Sequence, residues 1–316
     1  MVVSTMHRNL EPRALVIGAN GQDGSLIVEH LSANGWTVWS IGKQSASIHQ
    51  FPRYISVDLN NLEDLRQAIS MCDPDLIVHA AAVHGAAGFR YEPVWLEMMN
   101  VNVNSLQVCL EHARCSNKLV HCIYLGSAKI FGKDLLGRVD EATRFSGNCL
   151  YSAGKIAAYN LCEFYRLNHG LTINYLILFN HESKRRTREY FSRIIAGALH
   201  NALEGKHDVT KVHSLNFYAD WSRAEDLAEC VLRLARLKAS GTFLFASGRT
   251  HYARGFVDAL FSKFDLCWMD FVEEQEPKSR INSFFSADIT ALRSTLNFSP
   301  NTDTEALFCE LAGLVT

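Results

Sequence analysis

The sequence has no long apolar run and no paired cysteines. No stretch approaches the roughly 20 consecutive apolar residues that a membrane-spanning helix requires, and the polar segment at residues 1–13 lacks the apolar core of a signal peptide. None of the nine cysteines stands in a CxxC pair, so we expect reduced thiols and no metal site. These absences predict a cytoplasmic protein without membrane contact.

Strong net charge is also missing. The 316 residues carry a formal charge of −2, which gives no general attraction to nucleic acid or to an anionic membrane surface. Hydrophobic residues make up 48% and charged residues 20% of the chain, as in ordinary globular proteins. A chain of this length can bury a large core, either in one domain or in two coupled lobes.

Short apolar runs alternate with helical patterns through the first half of the chain. Strand-like runs lie at 13–18, 36–41, 75–82, 119–127 and 173–180, and helical patterns at 24–35 and 61–72. The later runs are almost continuously apolar, which is typical of strands buried on both faces of a parallel sheet. The alternation predicts an α/β fold with a Rossmann-type, doubly wound parallel sheet.

The pattern changes after Asn180, where a strongly basic segment precedes a mixture of helices and short strands. We therefore expect a dinucleotide-binding domain at 12–180. Residues 181–316 are expected to form mainly a smaller C-terminal, substrate-binding lobe, with some segments returning to the sheet.

The segment LVIGANGQDGSL places three glycines between a predicted strand and a predicted helix. Gly18 can form the tight turn, Gly21 lets the backbone approach a pyrophosphate, and Gly24 permits close contact between helix and strand. The N–H groups at the start of the helix favour an anion. The context indicates nucleotide binding, and the alternative is a purely structural turn.

The glycine spacing, GxxGxxG, resembles that of the extended short-chain dehydrogenases/reductases. An acidic residue usually closes the second strand and binds a ribose 2′-hydroxyl, but here the segment VWSIGKQSAS has none. Lys43 could accept a 2′-phosphate instead, so the sequence predicts that NADP(H) is preferred and that NAD(H) is possible. The alternative interpretation of Lys43 is a solvated loop lysine.

The same resemblance implies further contacts with the cofactor. Asp58 corresponds to a position that contacts adenine, the small residues of HAAA (79–82) let a cofactor lie against the strand end, and Asn102 matches a helix asparagine that organises the active-site backbone. The predicted cofactor site comprises Gly18, Gly21, Gln22, Asp23, Gly24, Lys43, Asp58, Leu59, Ala80, Ala81, Ala82, Tyr151 and Lys155.

Tyr151 and Lys155 are four residues apart, so they share one face of a predicted helix. A tyrosine is a weak base at neutral pH unless its phenolate is stabilised, and a nearby ammonium together with the positive charge of a nicotinamide can lower its pKa. With Ser127 after an earlier strand, the pair resembles the Ser–Tyr–Lys set of the short-chain family. That set implies acid–base catalysis by Tyr151, support of the cofactor ribose by Lys155, and a hydrogen bond from Ser127 to the reacting oxygen.

Four segments carry a closer resemblance, to GDP-mannose 4,6-dehydratases. They are GANGQDGS (18–25), AAAVHGAAGF (80–89), LILFNHESKRR (176–186) and ADWSRAEDLAE (219–229). The likeness covers about residues 15–295 and implies a nucleoside-diphosphate sugar, GDP-linked, as substrate. Guanidinium groups suit its phosphates; without the resemblance, the alternative for the KRR run is a solvated basic turn. The implied substrate residues are His84, Ser127, Asn180, Arg185, Arg193 and Arg280.

One position departs from the dehydratase pattern. Where the family has Thr–Ser–Glu, this sequence has Ser127–Ala128–Lys129. The family glutamate moves the protons during loss of water across C5–C6, and an ammonium at Lys129 cannot accept a proton. Hydride transfer at C4 is compatible with this change, whereas elimination would require that burial strongly lowers the pKa of Lys129.

Three functions therefore stay open. The first is an NADP(H)-dependent enzyme of the GDP-mannose 4,6-dehydratase type, and the second is a related C4 reductase or epimerase without dehydration. The third is a non-catalytic NADP(H)-binding sensor or scaffold, which the Ser127, Tyr151 and Lys155 set disfavours. Family resemblance also implies a homodimer or homotetramer. Its interface would form from helices near 95–114 and 151–168.

Overall fold

The structure is a computed structural model that describes residues 11–86, 88–132, 135–277, 284–300 and 302–314. The strands are β1 Arg13–Ile17, β2 Thr37–Gly42, β3 Tyr54–Ser56, β4 Leu76–His79, β5 His121–Leu125, β6 Leu136–Val139, β7 Ile173–Leu178, β8 Asn180–Glu182, β9 Thr210–Val212, β10 Tyr218–Arg223, β11 Gly241–Phe245, β12 Thr250–Tyr252, β13 Val272–Glu274 and β14 Phe284–Ala287. The α-helices are α1 Gln22–Ala33, α2 Leu62–Cys72, α3 Trp95–Met99, α4 Ser105–Cys115, α5 Leu150–His169, α6 Phe191–Leu203, α7 Ala224–Leu237, α8 Ala253–Ser262, α9 Thr290–Leu296 and α10 Thr304–Leu311.

Seven parallel strands form the main sheet in the order β11-β7-β5-β4-β1-β2-β3. The order reverses between β1 and β4, which is the doubly wound arrangement. Every residue of β4, β5 and β7 is buried, because helices cover both faces of the sheet. The predicted fold class is thus confirmed.

Two apolar clusters hold the helices against the sheet. Leu15 and Ile77 face α2, α4 and α5 on one side, whereas Val16 and Val78 face α1, α7 and α9 on the other. Successive strand residues point to opposite faces, so each strand contributes to both clusters. Because all seven strands are parallel, their carboxyl ends meet at one edge of the sheet.

The apolar run at 173–180 is not one strand. β7 ends at Leu178, and β8 begins at Asn180 in a separate three-stranded sheet with β10 and β12. Phe179 lies at the break and donates its N–H to the carbonyl of Phe245 at 3.0 Å. Hydrophobicity alone could not locate this break, since the strand pairing decides it.

The chain after residue 181 contributes to two regions. α6, α8, α10 and β10 surround a third apolar cluster, whereas β11 pairs with β7 in the main sheet and α7 packs on α1. A π-helix, Asn100–Asn104, joins α3 to α4. Within the described ranges, no helix has the length and apolar character needed to cross a membrane.

Candidate active site

The glycine loop lies between β1 and α1, as predicted. Gly18 has a φ of +90°, and a Cβ atom there would lie 2.5 Å from the backbone nitrogen of Ala81. A Cβ atom on Gly24 would collide with the carbonyl oxygen of Gly18. Gly21 precedes the first turn of α1. The loop therefore brings backbone and helix start close together at the strand ends, the geometry that a pyrophosphate requires.

A cavity of about 310 Å³ opens beside this loop, against the ends of β2 and β4. Eight of the predicted cofactor residues line it: Gly18, Gly21, Lys43, Asp58, Leu59, Ala80, Ala81 and Ala82. Gly24 is absent from this lining, because it serves the contact between helix and loop.

Glu97 of α3 also lines this cavity, and the sequence analysis missed it. Its carboxylate lies 4.0 Å from the Nζ of Lys43, whose side chain is 73% exposed. A carboxylate beside Lys43 competes with a 2′-phosphate for the lysine charge. No sequence signal pairs these positions, because the contact between α3 and the end of β2 is tertiary.

A second cavity, of about 640 Å³, lies where the strand ends meet β8 and β10. It brings together most of the remaining predicted positions: Gln22, Asp23, His84, Ser127, Lys129, Tyr151, Lys155, Asn180 and Arg185. Gly21, Ala80 and Ala82 line both cavities, so the two are adjacent.

Tyr151 is almost completely buried at the base of the larger cavity. Burial raises the pKa of Tyr151 above its ordinary value, and a hydrogen bond from Ser127 opposes the rise without cancelling it. The physical reason is that desolvation of a phenolate outweighs the neighbouring hydrogen bond. The predicted lowering of this pKa by Lys155 together with the charge of a nicotinamide stays a prediction.

Lys155 lies one helical turn from Tyr151 and is 2% exposed. Its Nζ donates to the carbonyl of Leu125 at 2.7 Å and to the hydroxyl of Tyr124 at 3.1 Å. Burial lowers the pKa of Lys155 to about 7, partly offset by the charge of Asp23. The charge of Lys155 is therefore sensitive to the partners of its Nζ.

His84 covers the Tyr151 ring. The ring centres are 4.4 Å apart, and the Nδ1 of His84 lies 2.6 Å from the hydroxyl of Tyr91. Burial, and then the positive charges of Lys129 and Arg186, lower the pKa of His84 to about 3. His84 is therefore neutral at physiological pH, and it bounds the cavity beside the tyrosine.

Lys129 lies at the rim of the same cavity. The residue is exposed, and its Nζ is 5.7 Å from the centre of the Tyr151 ring. The carboxylates that share the cavity lining are those of Asp23, Glu189 and Asp220. A lysine thus occupies the position beside the tyrosine where the dehydratase pattern has its glutamate.

Gln22 and Asp23 connect α1 to β8. Asp23 Oδ2 lies 3.0 Å from the Nε2 of His181, and the Gln22 side chain bonds to the backbone of His181 and Ser183. Burial would raise the pKa of Asp23, but the charge and hydrogen bond of His181 lower it to about 2. These two predicted cofactor residues therefore have protein partners, and they fix the glycine loop relative to β8.

Of the six residues predicted from the substrate resemblance, His84 and Ser127 line the larger cavity, and the other four have different outcomes. Asn180 and Arg185 line the cavity, and Arg185 also bonds to Ser25 at 2.8 Å. Arg193 does not reach either cavity, because its Nη1 donates to the carbonyl of Leu311 at 2.9 Å on α10. Arg280 lies outside the described residues.

Arg186 and Tyr190 are cavity residues that the sequence analysis did not single out. The guanidinium carbon of Arg186 lies 3.7 Å above the Tyr190 ring centre. The KRR run was a signal for this position, but spacing could not distinguish Arg186 from its neighbours.

Asn102 lies buried in the π-helix. Its Oδ1 accepts the N–H of Val83 at 2.9 Å, and its carbonyl accepts the hydroxyl of Tyr124 at 2.6 Å. It therefore fixes the loop after β4, at the edge of the cofactor cavity.

Among the residues that the structure describes, no group of three or more His, Cys, Asp or Glu side chains could hold a metal ion.

Comparison with known proteins places this geometry in a family. The family model for GDP-mannose 4,6 dehydratase matches residues 15–310. GDP-mannose 4,6 dehydratase 2 of Arabidopsis thaliana is 28% identical over 284 residues, which cover 84% of this chain and 76% of the plant protein.

Two solved structures have the same fold. Residues covering 96% of this chain superpose on 96% of dTDP-glucose 4,6-dehydratase from Bacillus anthracis, solved with NAD, with a TM-score of 0.79 and 17% identity. RMD from Pseudomonas aeruginosa, complexed with NADPH, gives a TM-score of 0.75 at 15% identity and covers 95% of this chain and 98% of its own. At these identities the likeness establishes the fold. Together with the family match, it confirms the resemblance: the chain belongs to the GDP-mannose 4,6-dehydratase family, among the nucleotide-sugar-modifying enzymes of the extended short-chain dehydrogenase/reductase class.

Proposed function

We propose that the protein is an NADP(H)-dependent enzyme that transfers hydride at C4 of a GDP-linked hexose. The observation that carries the proposal is the convergence of Ser127, Tyr151 and Lys155 on one cavity adjacent to the glycine loop. The family match supports a GDP-linked sugar, and the NAD and NADPH complexes of the similar folds support a nicotinamide cofactor.

The chain's own residues fit such a cofactor. The Gly18 turn and the start of α1 suit the pyrophosphate, the smaller cavity suits the adenosine half, and Lys155 reaches the larger cavity where the nicotinamide ribose would lie. When bound, the cofactor supplies or accepts the hydride. Tyr151 then exchanges the proton of the C4 hydroxyl, with Ser127 bonded to the same oxygen.

The substrate would occupy the larger cavity between the sheet and the region after residue 181. We propose that Asn180, Arg185 and Arg186 face its diphosphate, because guanidinium groups bind phosphate oxygens through paired hydrogen bonds. His84 would pack against the hexose beside Tyr151. We also propose that the region after residue 181 is mainly a substrate-binding lobe and that the protein is cytoplasmic. Both proposals are supported by the sequence analysis alone.

Loss of water is the step that distinguishes the candidate reactions. The family assignment ranks a 4,6-dehydratase first. The position of Lys129, 5.7 Å from the centre of the Tyr151 ring, favours a C4 reductase or epimerase, because a protonated lysine cannot remove the C5 proton.

The test is incubation of the protein and NADP(H) with GDP-mannose, and in parallel with UDP- and dTDP-hexoses, while the absorbance of reduced cofactor and the product mass are followed. Turnover of the GDP-sugar that Tyr151→Phe abolishes would support the proposal. Cofactor binding without turnover of any nucleotide sugar would favour the sensor or scaffold instead.

We also propose a homodimer, or a homotetramer built from such dimers. Leu96 of α3 and Phe164 and Leu167 of α5 are at least half exposed. These helices neighbour one another, so a second copy could cover both in an isologous four-helix contact. Sedimentation of wild type and Leu167→Glu would test this interface.

A further inference from the structure

The environment of the Lys155 ammonium is unusual because a tyrosine lies beneath it. The Nζ of Lys155 is 4.5 Å from the centre of the Tyr124 ring, in addition to its 3.1 Å contact with the hydroxyl. Tyr124 lies on β5, fully buried, directly before Leu125, whose carbonyl accepts the second hydrogen bond. Both partners come from the same strand, so β5 determines where the ammonium points.

The direction of the hydrogen bonds follows from the chemistry of the partners. A backbone carbonyl only accepts, so the hydroxyl of Tyr124 must donate its proton to the carbonyl of Asn102, 2.6 Å away. The lone pairs of the Tyr124 oxygen are then available to Lys155. A charged lysine has donors and no acceptor, so the ammonium must be the donor in this contact. The Asn102 side chain holds Val83 at the cofactor cavity. One chain of hydrogen bonds thus links Lys155, through Tyr124 and the π-helix, to the loop after β4.

We propose that Tyr124 is a positioning residue whose hydroxyl and ring hold Lys155 in its charged form and direct its ammonium toward the cofactor ribose and Tyr151. The inference rests on the proposed function only in assigning a catalytic purpose to that charge. The hydroxyl accepts from the ammonium, and the negative face of the ring attracts it. Both interactions stabilise the protonated lysine against the desolvation that burial imposes.

Burial lowers the pKa of Lys155 toward neutrality, so the charge of the side chain depends on the groups that contact its Nζ. The titratable groups that face Lys155 from its surroundings are Asp23, His79, His84, Tyr124, Tyr151 and Cys162. Only Tyr124 among them combines a hydrogen bond with a ring contact to the Nζ.

Tyr175 provides a matched control. It is equally buried, and its ring stacks on Tyr124 at 5.5 Å. Its hydroxyl also donates to one backbone carbonyl, that of Lys155 itself, at 2.9 Å. Tyr175→Phe therefore removes a comparable buried hydrogen bond without removing a contact with the Nζ.

The experiment titrates Lys155 directly in the full-length protein. Trace acetylation with acetic anhydride at a series of pH values, read by mass spectrometry, gives the lysine pKa without any substrate. We expect Tyr124→Phe to lower that pKa by about one unit, a tenfold change in the protonation constant, and Tyr175→Phe to leave it within a few tenths. Equal values in wild type and Tyr124→Phe, or equal shifts in both variants, would overturn the proposal.

A second variant keeps the test decisive if Tyr124→Phe does not fold. Tyr124→Gln retains a donor for Asn102 and an acceptor for Lys155 but removes the ring, so its lysine pKa should fall by only a few tenths of a unit. A value lowered by a full unit in this variant would contradict the inference.

Activity provides a separate readout. Since the proposed reaction needs charged Lys155, kcat/KM should fall as pH rises through the lysine pKa, and this limb should move to lower pH in Tyr124→Phe only. If the lysine titration shifts and the activity profile does not, the positioning role stands and the proposed catalytic purpose fails. If neither shifts, Tyr124 does not have the proposed role.

Discussion

The Nζ of Lys155 lies 5.7 Å from the centre of the Tyr151 ring, and the nearer partner is the carbonyl of Leu125 at 2.7 Å. The four-residue spacing places both side chains on one helix face, as predicted, yet the ammonium is bonded to β5. Burial raises the pKa of Tyr151 above its ordinary value. We therefore expect Tyr151 to act as a base only when substrate and cofactor add their own charges and hydrogen bonds to the cavity.

Substitution of the tyrosine tests the proton transfer. Tyr151→Phe should bind NADP(H) normally, because the cofactor cavities keep their backbone lining, but hydride transfer should fall by about 10²-fold or more. Single-turnover absorbance measures the transfer, and fluorescence titration measures the binding. Tyr159→Phe, on the same helix but outside both cavity linings, is the control that should retain turnover. Near-normal rates in Tyr151→Phe would remove Tyr151 from the mechanism.

Lys155 should lower stability at acidic and neutral pH. Its pKa is about 7 in the fold against 10.5 for a free lysine, so between these values the unfolded chain binds a proton that the folded chain does not. The contribution of Lys155 to the free energy of unfolding therefore rises as the pH rises above 7, and it is lowest below pH 7. Relative to wild type, Lys155→Met should gain about 3 kcal/mol more in the free energy of unfolding at pH 6 than at pH 9.5.

Denaturant unfolding at the two pH values measures this difference. Lys43→Met, at a side chain that is 73% exposed, should change stability by the same amount at both. If the Lys155→Met difference is independent of pH, then Lys155 is not desolvated in the folded protein.

Cofactor choice should depend on Lys43 and Glu97. We expect tighter binding of NADP(H) than of NAD(H), a roughly three- to tenfold loss of that preference in Lys43→Ala, and a gain of similar size in Glu97→Gln. The gain follows because the variant removes a carboxylate that would compete with a 2′-phosphate for Lys43. Competitive titration of the two dinucleotides measures both effects, with Glu92→Gln as a control outside the cavity lining. Tighter binding of NAD(H) to wild type would contradict the expectation.

Lys129 should decide whether water is lost. Its positive charge helps to keep His84 neutral, and a charged lysine cannot accept the C5 proton. Wild type should therefore exchange hydride at C4 with little or no loss of water from GDP-mannose, and Lys129→Glu should gain some. The measurement is product mass, which falls by one water on elimination. Efficient elimination by wild type that persists in Lys129→Ala would mean that another cavity carboxylate is the base.

Local sequence patterns were sufficient for the main parallel sheet. Apolar runs buried on both faces, glycines at 18, 21 and 24 and the Tyr151–Lys155 spacing are all short-range signals, because strand period, turn conformation and helix period are properties of a few adjacent residues. They predicted the parallel sheet, the loop at its edge and the residues that converge there. Their catalytic roles stay predictions.

The tertiary structure alone decided the electrostatics of the site. Glu97 lies beside Lys43, Tyr124 beneath Lys155 and His181 against Asp23 through contacts between elements far apart in the chain. It also directed Arg193 away, to the end of α10. The sequence by itself determined which ionisable groups exist and which elements carry them. Only the packing of those elements decided which groups lose their water and which partners they meet, and desolvation and partner charge together set each pKa.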